Sequence, residues 1–346
     1  MLRRRLILAA LGVAVVAPGA LALYWFWAAD RVATAIAEWT EEQRARGYEI
    51  AYTGPEITGF PVKLAVRFTE PSVGAPPGWR WSGAAIAGEA AFWQPLTLRL
   101  DLPLRQTLRA DWRGHRRELS LEAETARGLV HLGRDGRLEA ATIEMERLVL
   151  SKPGGGTQGD ATLRVDRLRY DVTRRPPALE GSDDGTLLLS GEMRGIALPE
   201  GTPSPLGEKV ERIAFDATLL GAIPKGAPAE ALARWRDAGG LLEVHELALT
   251  WGPLDLRAEG AATLDARFRP EGAFTARIRG LPGTLDAFAA RGLIEPGVAF
   301  ALKLAALTLA KQRDDMGRAV VELPITLQDG LFYLGPVALF RLSPVL

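Results

Sequence analysis

The chain carries three histidines, His115, His131 and His245. A transition-metal site needs three or four ligands that converge, and imidazoles one helical turn apart are the usual way to begin one. No His-x-x-x-His or His-Glu-x-x-His spacing occurs, and in a strand the adjacent His245 and Glu246 point to opposite faces. They read as ordinary strand and turn histidines, with no metal. The stretch "KPGGGTQGD", Lys152 to Asp160, is rich enough in glycine to cradle a phosphate. A phosphate loop, however, ends in Gly-Lys-Ser/Thr and feeds a helix. Here Gly159-Asp160 feeds a strand-like run, and Asp160 would repel an anion, so the stretch reads as a flexible hairpin connection.

Acidic pairs stand at Glu144/Glu146, Asp183-Asp184 and Asp314-Asp315. General acid–base catalysis needs one carboxyl buried with a raised pKa. Glu144 and Glu146 share the solvent face of a strand, and the other two pairs lie in polar, turn-like runs. There is no Gly-x-Ser-x-Gly elbow and no cysteine, which removes thiolate nucleophiles, disulfides and cysteine metal sites together. The residues therefore point to a protein that is not an enzyme, with no catalytic, cofactor-binding or metal-ligating group. Four of the nine tryptophans, Trp79, Trp81, Trp93 and Trp112, cluster in the first third and read as packing residues or as the lining of a ligand site.

What the chain does carry is a sheet. In "GPLDLRAEGAATLDARFRPEGAFTARIRGL", Gly252 to Leu281, every second residue of three runs is apolar. Such alternation builds a half-buried antiparallel sheet with one apolar and one wet face. Breaks at Glu259–Ala261 and Arg269–Ala273 make this a three-stranded meander. Its apolar wall is Leu254, Leu256, Leu264, Phe268, Phe274 and Ile278, the candidate contacts for a hydrophobic ligand. Similar runs recur from Tyr48 onward, about fifteen strands in all. One, "ATLRVDRLRYDV" from Ala161, slips phase at Asp166-Arg167, as a bulge would make it do. Helices are predicted at "PAEALARWRDAGG", with Ala231, Leu232 and Trp235 inward, and at "PGTLDAFAARG", with Leu285, Phe288 and Ala289 inward. "EPGVAFALKLAALTLAKQ" alternates like a strand, but its length and alanine content favour a helix. Loops are predicted at Ser151–Asp160 and Arg174–Gly185.

The N-terminus opens with Arg3, Arg4 and Arg5 and then has no charge until Asp30. The run from Leu6 to Trp27, through Leu11, Val16 and Leu21, is about twenty apolar residues, enough to cross a bilayer as a helix. The arginines would stay cytoplasmic, and Tyr24, Trp25 and Trp27 suit the far interface. The rival reading is a cleaved signal peptide, with Ala20-Leu21-Ala22 as its small-residue site. Both readings export residues 29 onward. Asp30 to Gly47 then reads as an amphipathic helix, capped by Asp30 and ended by Gly47, with Val32, Ile36, Trp39 and Gln43 on its apolar stripe.

The 346 residues balance 42 basic against 42 acidic side chains, which argues against nucleic acid as a partner. The organisation expected is an anchor at 1–28, an amphipathic helix at 29–47 and a β-rich domain at 48–346, with two halves meeting near 175–205. The fold class is mainly β: a long, curved, largely antiparallel sheet, trough-like or sandwich-like, with a few short helices.

"GYEIAYTGPEITGFPVKLAVRF", the Trp251-Gly252-Pro253 start and the terminal "DGLFYLGP" together resemble the bacterial family called domain of unknown function 2125. The resemblance implies an anchored envelope protein and carries over no functional residue. More loosely, the strand-after-strand order is similar to AsmA-like envelope proteins, which implies a curved sheet with an apolar concave face and an association with lipid handling. Two functions remain open. One is an inner-membrane-anchored periplasmic protein that binds lipid or another hydrophobic ligand. The other is an envelope scaffold that works through contacts with other envelope proteins.

Overall fold

The computed structural model describes residues 2–75, 78–112, 115–152, 162–175, 186–221, 228–309, 312–313, 319–335 and 337–345. Of these, the side chains of 2–18, 111–112, 115–116, 228, 305–309, 312–313, 337 and 339 stand outside the description. The described residues form nineteen strands and four helices, so the chain is mainly β as expected. They fall into two compact units, residues 1–121 with 126–137, and residues 122–125 with 138–346. That division lies well before 175–205, where the sequence placed a meeting of halves. The strand Thr162–Arg175, which ends at that stretch, and the strand Lys209–Leu220, which follows it, each pair with the strand Thr186–Ala197, which lies within it.

The first unit begins with helix α1, Leu2–Ala45. Its backbone runs unbroken through Asp30, so Asp30 is an interior residue and not a cap. Gly47 does end it, at φ +89°, where its N–H donates to the carbonyl of Arg44. Val32 and Ile36 face inward with Thr40, but Trp39 is half exposed, and Thr40 takes its place. The Thr40 hydroxyl bonds the carbonyl of Ile36 at 2.8 Å and lies 3.1 Å from the Tyr52 hydroxyl, which fixes the helix to the first strand. Among the described residues, no helix is long and apolar enough to cross a membrane. The side chains of residues 6–18, most of the predicted span, stand outside that description.

The strands of this unit are β1 (Glu49–Thr58), β2 (Lys63–Ala75), β3 (Trp79–Gly83), β4 (Ala85–Ala91), β5 (Gln94–Asp101), β6 (Arg105–Trp112), β7 (His115–Glu122, whose last residue belongs to the second unit) and β8 (Thr125–Leu132). β2 pairs with β1 on one side. On the other side its first half pairs with β4 and its second half with β3. The change of partner falls at Glu70, which adopts φ +50° and donates its N–H to the carbonyl of Ala84. β4–β5, β5–β8 and β3–β6 complete the pairings described, all antiparallel.

The second unit is a run of long antiparallel strands: β9 (Leu138–Ser151), β10 (Thr162–Arg175), β11 (Thr186–Ala197), β12 (Lys209–Leu220), β13 (Leu241–Trp251), β14 (Leu254–Leu264) and β15 (Pro270–Arg279). After β16 (Gln312–Arg313) come β17 (Ala319–Gln328), β18 (Leu331–Leu334) and β19 (Val337–Arg341). Each strand from β9 to β15 pairs with the next, β15 pairs with β17, and β17, β18 and β19 follow in order. Helix α2 (Pro228–Asp237) follows β12, and α3 (Leu281–Ala290) and α4 (Pro296–Leu309) follow β15. These are the three helices the sequence predicted.

Alternation in each strand, combined with the register, lines up the apolar side chains across the sheet. Met145, Leu168, Met193, Ile213, Leu249, Leu256, Ile278 and Val321 are successive partners, one per strand. The next residue along each strand belongs to the opposite face. There Glu144, Arg169 and Glu192 stand in one row, with Arg257, Arg277 and Glu322 farther along it. Arg169 bonds Glu144 at 2.7 Å, and Arg277 bonds both Glu259 and Glu322 at 2.8 and 3.2 Å. Exposed pairs of this kind keep the wet face soluble and add little stability each.

Three expectations are corrected. The Gly252–Leu281 stretch holds two long strands, β14 and β15, and not three short ones. Gly260, read as a break, is an interior strand residue opposite Phe274, where an added Cβ would come within 2.7 Å of the Phe274 ring. Phe268 therefore leaves the sheet and sits in the turn at φ +57°. Lastly, the phase slip at Asp166-Arg167 causes no offset in pairing. Val165 and Arg167 keep the same register with β9 and with β11. The reason is that the neighbours slip at the same level, Leu148 to Met145 in β9, Ile196 to Met193 in β11 and Val210 to Ile213 in β12. Arg147 and Gly195, on either side of Asp166, both have positive φ. Beyond this crease Leu148, Val165, Ile196 and Val210 are mutual partners and are all buried. The predicted loops fall largely on 153–161 and 176–185, outside the described residues, as do Asp183-Asp184 and Asp314-Asp315.

Candidate hydrophobic-ligand site

The apolar face of the second unit is covered unevenly. At β14–β17, α3 and α4 pack over it, and Ile278 and Val321 are buried beneath them. On β9–β13, between the crease and the α2 end, no apolar side chain larger than alanine is buried. Leu168, Tyr170, Met193, Ile213 and Phe215 are half-buried there, and Leu247 is 42% exposed.

At the far end of the same face lies a cavity of about 500 Å³. Its floor is Leu219, Leu242, Ala262 and Leu264, with Thr263 and Pro270 at the β14–β15 end. Its roof is Ala231, Leu232 and Trp235 of α2, and Val345 closes one side. Helix α2 sits there because its three inward residues recur at helical spacing, as predicted, and because the Trp235 indole has a made-to-measure bed. The indole N–H donates to the carbonyl of Leu220 at 2.8 Å. Gly221 and Gly240 leave room for the ring, and a Cβ on Gly240 would stand 2.2 Å from its Cε2. The Thr263 hydroxyl, the one polar side chain of the lining, donates to the carbonyl of Gly240 at 2.8 Å. The cavity thus presents almost only hydrocarbon, in the size range of small-molecule sites.

The rim is built by the β14–β15 turn. The Asp265 carboxylate accepts the N–H groups of Arg267 and Arg269, both at 2.8 Å, and the Arg269 guanidinium at 2.7 Å. Burial pushes this carboxyl's pKa up, but those hydrogen bonds outweigh it and the net shift is downward. The turn then holds Phe268 against the Arg236 guanidinium of α2, and the Phe268 carbonyl accepts the N–H of Val345 at 2.9 Å.

Of the six residues predicted as an apolar wall, Leu254, Leu256, Leu264, Phe274 and Ile278 share one face of β14 and β15. Leu264 alone lines the cavity. Ile278 is core under the helices, and Phe268 belongs to the rim. The residues missed are Leu219, Leu242 and the α2 side chains. The α2 stripe was legible, but its destination across four strands was not. The histidines are separate: His131 Nδ1 lies 3.2 Å from the Thr97 hydroxyl, His245 Nε2 lies 2.7 Å from the Thr218 hydroxyl, and the His115 side chain is outside the described residues. Glu144 and Glu146 are paired with Arg169 and Arg167. Among the described residues no group of His, Asp or Glu gathers as a metal site would require.

No curated protein and no solved structure matches the chain. A family profile, described as an uncharacterised protein conserved in bacteria, matches residues 25–342 and so takes in the sheet and every cavity-lining residue but Val345. The chain belongs to that family, domain of unknown function 2125.

Proposed function

We propose that this chain is a non-catalytic binding protein for lipid or another hydrophobic ligand, held at the bacterial inner membrane by α1 with its β-rich part in the periplasm. The observation that carries the reading is the cavity. It is lined by hydrocarbon, its one hydroxyl is already bonded, and it continues from rows of half-buried apolar side chains that an acyl chain would cover. The AsmA-like likeness and the charge-free run from Leu6 to Trp27 support the same reading. Its test is extraction of the purified full chain followed by mass spectrometry of the bound lipid. Wild type is expected to carry lipid, and Ala262→Trp, which fills the cavity, to carry several-fold less. Equal loads, or none in wild type, would refute the site.

One observation favours a scaffold acting through protein contacts. Helix α4 has only one charged residue, Lys303, yet Phe300 is 64% exposed and Val298, Leu302 and Leu304 are exposed beside it. An apolar helix with an uncovered side normally has a partner. Crosslinking from Phe300 in cells, compared between wild type and Ala262→Trp, separates the two roles: a scaffold keeps its crosslink when the cavity is filled.

A further inference from the structure

Eight apolar side chains of the first unit converge at one level of α1 from three separate stretches of chain. α1 contributes Leu23, Tyr24, Phe26 and Trp27. The β1–β2 connection contributes Phe60 and Val62, and the β4–β5 connection Phe92 and Trp93. All eight are exposed, Leu23 at 76%, Trp93 at 70% and Phe26 at 64%. They are not loose ends. Tyr24 meets Phe92 edge-on at 5.0 Å, and Phe26 stacks on Phe60 at 6.2 Å. Between them Trp25 is buried, edge-on to Phe60 at 5.7 Å, and its indole donates to the carbonyl of Lys63 at 2.9 Å. The Phe92 N–H donates to the carbonyl of Val62, which joins the two connections to each other. The cluster is thus a built, rigid surface, and no charged residue belongs to it. Lys63, which follows Val62, is paired with Glu89 at 2.6 Å, and Asp30 follows the cluster one turn on along α1.

We infer that this cluster is a membrane-contact surface, and that the two hairpin tips enter the lipid interface beside the helix. Three features select lipid as the occupant. Six of the eight side chains are aromatic, and three of those, Tyr24, Trp27 and Trp93, are the Tyr and Trp that favour the level between headgroup and hydrocarbon. The cluster is continuous along α1 with the charge-free run from Leu6, so the helix would emerge from the bilayer at this level. Its residues also surround the helix from several directions, which suits a medium better than a single docked partner. The tips would then fix the tilt of the unit against the bilayer, a restraint that a lone helical anchor with a swivelling domain does not supply. This rests on the anchoring reading above and goes beyond it by assigning Phe60, Val62, Phe92 and Trp93 to the membrane.

The chain has no cysteine, so single labels are straightforward. Val62→Cys, Trp93→Cys, Leu11→Cys and Asp135→Cys of the full chain carry a spin label in vesicles of phosphatidylethanolamine and phosphatidylglycerol. Collision with oxygen and with a water-soluble nickel chelate reports depth. Positions 62 and 93 are exposed, so labelling them leaves the packing intact. The expected result is that positions 11, 62 and 93 favour oxygen and position 135 favours nickel. Nickel-accessible labels at 62 and 93 with position 11 in the bilayer would overturn the contact surface and leave the anchor standing. A water-exposed position 11 would overturn both. Spin–spin broadening at 93 that vanishes on dilution with unlabelled chain, without oxygen access, would assign the surface to a second copy and so also overturn it.

Discussion

The Arg236 guanidinium lies over the ring of Phe268, its central carbon 5.1 Å from the ring centroid. The same guanidinium donates to the carbonyl of Asp265 at 3.2 Å, so one side chain of α2 reads both the ring and the backbone of the β14–β15 turn. Helix, turn and the Val345 end of the chain are thereby held over one cavity.

Truncating either partner is expected to loosen that closure. Phe268→Ala should lower stability by about 1 kcal/mol, in the range for a cation–π contact, and Arg236→Ala should lower it in the same direction. Urea unfolding measures it. The double variant should cost less than the sum of the two, because each single variant already removes the shared contact. Strict additivity would show that the stacking carries no energy.

Asp265 sets a pH dependence. Its native pKa is lowered from the ordinary aspartate value of 3.8. A carboxyl depressed in the folded state contributes stability that is fully present above the unfolded value and is lost as pH falls through the native one. Asp265→Asn keeps an acceptor but removes the charge. Wild type should therefore exceed this variant in stability at pH 7, and the gap should narrow below about pH 4. Parallel melting curves from pH 7 to pH 3 would contradict the assignment.

Gly240 tests the bed of Trp235. A side chain there meets the indole at 2.2 Å, and the ring is wedged between sheet and helix. Gly240→Val should cost about 1–3 kcal/mol from overpacking. It should also shift tryptophan emission to the red as the indole moves toward water. A variant as stable as wild type, with unchanged emission, would mean that α2 is free to ride up.

Much of the second unit was legible because alternation is a local signal. The partner of each strand is the next one, so reading along the chain is nearly reading across the sheet. The failures have one physical origin. Gly260 was taken for a turn because glycine weakens a strand, yet here it leaves space for Phe274 on the neighbouring strand. Phe268 kept the alternation by accident of spacing, while Asp265 had already turned the chain. Asp30 is a good cap by type, but the helix passes through it because both flanks are helix formers. The cavity was illegible for the same reason: Leu219, Leu242 and Leu264 come from three strands and Trp235 from a helix, and nothing local marks them as one site.

Half-burial of the open rows makes a contrast between two positions. Leu247, 42% exposed, and Val165, 1% exposed, both sit in apolar rows. Val165→Ser should destabilise the protein by at least about 2 kcal/mol, through lost burial and a buried hydroxyl. Leu247→Ser should cost about 1 kcal/mol or less. It should nonetheless reduce binding of a fluorescent fatty acid, if the open rows continue the ligand surface. Thermal melts and dye titration on the pair distinguish the roles.

The crease across β9 to β12 has a consequence for how the strands find one another. Long strands with the same two-residue rhythm are nearly interchangeable under a slide of two residues, which keeps every apolar group on its proper side. The crease breaks that degeneracy. Each of the four strands carries its irregular step at one place only, and the steps coincide in a single alignment. A strand displaced by two would set its step against a regular stretch on both flanks, and would take Val165 away from Leu148 and Ile196. The irregularity therefore works as a key cut across several blades: it makes one alignment distinguishable from its near copies, in a sheet whose rhythm alone would accept them all.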